Sequence, residues 1–155
     1  MIVYLLALLI GIVAGLRTMM APAVVSWAAY LGWLDLGGTW LAFLGHAWTP
    51  WILTLLALGE LVTDQLPSTP SRMVPVQFGA RIATGALSAA AVTAAAAGAV
   101  PGGLIAGILG AVIGTLGGHA ARARLAAAFG RDRPAALIED AVAVGGALLV
   151  VGALR

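Results

Sequence analysis

The chain has no cysteine and no lysine, and charged residues fill only 9% of its 155 positions. Without cysteine there are no disulfides and no thiolate metal sites, and the redox compartment leaves no trace in the sequence. The shortage of charge excludes an ordinary soluble domain, in which about a quarter of residues are charged. All eight basic residues are arginines, spread over helices and loops without interleaved aromatic residues, which does not fit a nucleic-acid partner. Metal-ligand spacing is missing as well: there is no HxxxH or HExxH, and His119 stands alone in LGGHAARAR. Ser26, Ser71 and Ser88 lack an adjacent base in any nucleophile motif. No cofactor, no metal and no enzymatic chemistry are expected.

What the chain does have is apolar residues, 62% of the total, with a mean hydropathy of +1.06 and 21 glycines. This composition predicts an integral membrane protein of all-α class, a polytopic transmembrane helix bundle with a single domain over 1–155 and about five spans. MIVYLLALLIGIVAG lacks a positive n-region and runs into GLRTMMAPA with no cleavage site, so it reads as a retained first helix. The first apolar stretch, 2–31, is interrupted by Arg17, Thr18 and Pro22. It is either one long helix, kinked near Pro22, or two half-helices meeting at GLRTMMAP. DLGGTWLAFLGHAWTP reads as a loop with an interfacial aromatic anchor. Further spans are expected at about 49–66, 76–98, 102–121 and 135–154.

Arg122, Arg124, Arg131 and Arg133 cluster between the last two spans, and Arg72 follows the second. With five spans both loops fall on one side, and the positive-inside rule makes that side and the N-terminus cytoplasmic. Topology alone explains these arginines; attraction of anionic lipid headgroups is the other reading. Gly103, Gly107, Gly110, Gly114 and Gly118 recur every three or four residues on one helix face, and Gly11 and Gly15 share that spacing. Small residues in this pattern let helices pack closely in lipid.

Charges inside spans are costly, roughly 2.5–3.5 kcal/mol each on insertion scales, so those that occur need a reason. Glu60 and Asp64 lie one turn apart in the second span, Arg81 lies in the third, and Glu139 and Asp140 lie in the fifth. At 1.5 Å per residue, Glu60, Arg81 and Glu139 each fall about 8–9 Å inside the same end of their spans. The spacing therefore predicts one polar cluster of Glu60, Asp64, Arg81, Glu139 and Asp140, with Arg17 within reach. Such a cluster is acid-rich, and surplus buried carboxylates suit proton or cation handling. Against this stands a structural reading, in which Glu60 or Glu139 pairs with Arg81 while Asp64 and Asp140 reach interfacial water.

GLRTMMAPAVVSWAAYLGWLDL, GELVTDQLPSTPSR, ARIATGAL, GGHAARARL and ALIEDAVAVGG resemble, in order and over essentially the whole chain, an uncharacterised family of small bacterial inner-membrane proteins, domain of unknown function 4126. The resemblance implies a polytopic protein of the bacterial inner membrane, brings no established activity and carries over no catalytic residue. Where the family often has lysine after the span-two aspartate, this chain has Gln65. The ELVTD segment is also similar to acidic helix motifs of some small cation-exchange transporters, which use two inverted copies. Here the two acidic segments do not match as an inverted repeat, which counts against a pathway within one protomer, although a homo-oligomer could still build one. The expected partners are the lipid bilayer and a small solute or cation, with a non-catalytic membrane scaffold as the alternative.

Overall fold

The computed structural model describes residues 1–66, 68 and 70–155, and they contain helices and no strand. In chain order these are α1 (Ile2–Leu16), α2 (Met20–Tyr30), a 3-10 helix (Trp40–Gly45), α3 (Thr49–Thr63), α4 (Pro75–Ala95), α5 (Val100–Phe129) and α6 (Asp132–Gly152). Proline stands in the first turn of α3, α4 and α5, where its fixed φ suits the helix and its missing N–H costs nothing. Gly130 ends α5 in the left-handed region, with φ of 66°, a conformation other residues adopt at a cost. Part of the PSTPSR turn, Pro67 and Thr69, lies outside the described residues.

Three helices, α4, α5 and α6, are long and apolar enough to cross a membrane. The expected number was about five. α1 and α3 are apolar but have only 15 residues each, about 22 Å of helix against a hydrocarbon core of about 30 Å. The span expected at 49–66 closes at Thr63.

The stretch 2–31 is not one long helix, and Pro22 does not kink it. α1 stops at Leu16, Arg17 is extended (φ −138°, ψ 112°), and α2 begins at Met20 with Pro22 inside its first turn. The chain also turns back at this break. The Tyr4 hydroxyl accepts a 3.1 Å hydrogen bond from Ala99 N beside the start of α5, and Gly15 lies against Ala111 and Thr115 of α5, so the two helices run in the same direction. α2 runs antiparallel to α3: Thr18 and Met19 meet Glu60, and the Trp27 indole donates to Thr54 at 2.9 Å. The first two helices thus form a hairpin with its tip at Arg17–Met19. Six helices alternate in direction, which leaves Met1 and Arg155 at one end of the bundle and all other arginines at the opposite end; Arg155 sits 5.0 Å over the Trp33 ring.

α5 is the central helix, flanked by α1 and α4. All five of the glycines noted in it, Gly103, Gly107, Gly110, Gly114 and Gly118, are buried. A Cβ at Gly11 would fall on the carbonyl of Gly107, and one at Gly107 would fall on the Ala89 side chain and the Gly85 carbonyl. Backbone meets backbone there, so no side chain can move aside. At the tryptophan end, the 3-10 helix buries Leu41 and Leu44 in the core, and Ser26 donates to the Leu44 carbonyl at 2.5 Å.

Candidate functional site

The hairpin tip leaves the last carbonyls of α1 and the first N–H groups of α2 without helical partners. Charged side chains of other helices take them. The Arg81 guanidinium, from α4, donates to the Gly15 and Leu16 carbonyls at 3.0 and 2.9 Å. The Glu60 carboxylate, from α3, accepts from Thr18 N at 2.7 Å and Met19 N at 2.8 Å. A cation thus sits at the negative end of one helix dipole and an anion at the positive end of the next. Arg81 and Glu60 are themselves 3.9 Å apart, a looser contact than either makes with the backbone.

Arg17, at the tip, is fully buried. Its guanidinium pairs with Asp64 at the end of α3 and with Asp140 of α6, and Glu139 lies 3.9 Å away. Arg72, from the α3–α4 connection, forks onto Glu139, with the second contact at 2.9 Å. Arg122 of α5 reaches Glu139 at 3.4 Å and the Asp64 carbonyl at 3.2 Å. It also forks onto Asp132, at 2.9 and 2.5 Å. Gly118 makes room for the Arg72–Glu139 pair: a Cβ there would lie 3.0 Å from Glu139 Oε1 and 3.2 Å from Arg72 Nη1.

All six residues expected at the site, Arg17, Glu60, Asp64, Arg81, Glu139 and Asp140, therefore meet in one network, but with other pairings than expected. Glu139 pairs with Arg72 rather than Arg81. Asp64 and Asp140 are held by buried Arg17 rather than left to water. The acid surplus also disappears. Arg17, Arg72, Arg81 and Arg122 match Glu60, Asp64, Glu139 and Asp140 four to four, and the fifth carboxylate, Asp132, has a side chain 58% exposed. Two features add the arginines: Arg72 reaches back into the bundle from the α3–α4 connection, and α5 runs past the expected end near 121 to Phe129, so Arg122 sits on the helix rather than in a loop.

Arg72, Arg122 and Asp132 were not among the expected site residues. For Arg122 a signal existed, because it lies one turn after Gly118 on the buried glycine face. Arg72 and Asp132 carry no comparable signal. Above the network opens a cleft of about 300 Å³ lined by Asp64, Ser71, Arg72, Arg81, His119, Arg122 and Asp132 among others. No group of three or more metal-ligating side chains occurs among the described residues.

The family model described as Domain of unknown function (DUF4126) matches residues 4–153, and the chain belongs to that family. No curated protein and no solved structure matches it.

Proposed function

We propose that this family member is a polytopic protein of the bacterial inner membrane that passes a small solute through the charged end of its bundle. The observation that carries the reading is the broken α1–α2 hairpin, whose tip is held by Glu60 and Arg81 beside an open cleft. Gly15 lies level with Ala111–Thr115 of α5, about 20 Å along that helix from its start. Irregular backbone at such a depth is tolerated where protein buries it or where it lines a watery cavity, and transporters build substrate sites from interrupted helices. The balanced charges and the arginines lining the cleft favour an anionic solute over the proton or cation that an acid-rich site would suit.

The positive-inside rule turns the arginine end toward the cytoplasm. Because α1 begins at the other end, both termini then lie outside, the reverse of the cytoplasmic N-terminus expected from a single crossing over 2–31. The absence of cysteine makes the test direct: Ala127→Cys should be labelled only from the cytoplasmic side and Gly38→Cys only from outside.

Flux is measured with the full chain in proteoliposomes, against protons, alkali cations, small carboxylates and inorganic phosphate. Wild type should move at least one of the two anion classes in preference to protons and alkali cations, and Glu60→Gln should abolish that movement while keeping its helical circular dichroism. A wild type that moves none of them sinks the transport reading. In that case the alternative, a non-catalytic scaffold or accessory subunit, is the better account. What favours that alternative is that each of the four inner arginines already has a carboxylate within 4 Å.

A further inference from the structure

Seven of the eight arginines and five of the six carboxylates occupy one end of the bundle, so that end carries a net charge of +2. The cleft opens there. Its two carboxylates are already engaged, Asp64 by Arg17 and Asp132 by Arg122. A cation entering the cleft would have to take one of them from a guanidinium and would face Arg72, Arg81 and Arg122 while doing so. An anion meets the opposite situation. Arg81 is buried, its Nε has no acceptor among the described residues, and His119 adds a further donor on the lining.

Asp132 shows how an anion would be held. Its two oxygens take Nε and Nη2 of Arg122 in a side-on fork, at 2.9 and 2.5 Å. Two oxygens of a phosphate fit the same fork. Asp132 is the first residue of α6 and its side chain is 58% exposed, so it can swing into solvent at little cost. Its departure would leave the positive end of the α6 dipole facing the cleft, which also favours an oxyanion. Arg72 is already forked on Glu139 and supplies field rather than a free donor.

We infer that the cleft binds a phosphate-class oxyanion on Arg122, with Asp132 as the resident carboxylate that the ligand displaces. The inference deepens the solute-handling reading by naming the class of ligand. The phosphate group is either free or the headgroup of an anionic lipid, and the experiment distinguishes the two.

The full chain is placed in phosphatidylcholine nanodiscs, inorganic phosphate is titrated by calorimetry, and the titration is repeated in discs doped with phosphatidic acid. Lipid retention is read in parallel by native mass spectrometry. Saturable phosphate binding that phosphatidic acid leaves unchanged identifies the free anion. Stoichiometric retention of phosphatidic acid identifies the headgroup. In either arm Asp132→Asn should tighten binding by about tenfold and Arg122→Gln should weaken it by about as much, the scale of one charge-assisted contact. Arg124→Gln, at an exposed position outside the cleft lining, should change nothing. If neither wild type nor Asp132→Asn binds phosphate or retains phosphatidic acid saturably, the inference is overturned. Equal weakening by Arg124→Gln and Arg122→Gln overturns it too, since that is diffuse charge attraction. Binding without flux would sink the transport reading alone, whereas flux without saturable anion binding would sink this one alone.

Discussion

From Gly103 to Gly114, α5 meets its neighbours through missing side chains; from Gly118 to Arg122, the same face meets them through the longest charged side chains in the chain. The first contact is backbone against backbone between α5, α1 and α4, and it holds by shape. The second belongs to the charged network, in which Arg122 reaches Glu139 and each buried charge has a counter-charge, and which loses its balance when one member is removed. One stretch tolerates no added volume, and the other tolerates no subtracted charge. A helix of uniform apolar character would show neither sensitivity.

The largest effect should come from the charged network that the second stretch faces. Arg17→Met leaves Asp64 and Asp140 without the buried cation that holds both, and losing one partner of a buried pair costs about 3–5 kcal/mol. Thermal unfolding in detergent should show the largest drop in midpoint of any substitution named here. An unchanged midpoint would mean that the Arg17 pairs contribute nothing to stability, and the contrast between close approach and charge pairing would collapse.

Next is Gly107→Ala, which pushes a methyl group into the Ala89 side chain and the Gly85 backbone, at about 1–3 kcal/mol of overpacking. Gly117→Ala, on the same helix with open space around its Cβ, should be neutral or stabilising in the same assay. Equal effects at the two sites would show that helix propensity, not close approach, explains the glycines.

The smallest and most discriminating effect is a coupling. In a double-mutant cycle, Arg72→Gln with Glu139→Gln should recover about 0.5–3 kcal/mol relative to the sum of the single changes. Additive losses would mean that the fork contributes nothing as a pair. The same cycle on Glu60 and Arg81 should give a weaker coupling, because each is engaged mainly with backbone at the hairpin tip.

The sequence made the cluster legible because depth along a helix is simple arithmetic. Glu60, Arg81 and Glu139 fall at one level wherever their helices stand; the structure sets Glu60 beside Arg81 and ties Glu139 to Arg72, Arg122 and Arg17 instead. The partners were harder to see. Counting Arg72 and Arg122 by loop assigns them to topology, and nothing in that count registers side chains that reach back into the bundle. The break at GLRTMMAP was open as one of two readings, but the fold-back was not, since an apolar run of 30 residues has the same composition straight or folded back. What selects the folded form is tertiary: Glu60 takes the Thr18 and Met19 N–H groups from about 40 positions away in the chain. The spans at α1 and α3 were overestimated because hydropathy reports how apolar a stretch is, not where its helix stops.

The fold-back at Arg17–Met19 gives the bundle an even number of alternating helices, with α1 starting and α6 finishing at the tryptophan end. A fusion partner ahead of α1 and another after α6 would emerge on the same side. Two copies of the chain could therefore be joined tail to head by a soluble linker that crosses no bilayer, giving a tandem with both charged clefts facing the same compartment.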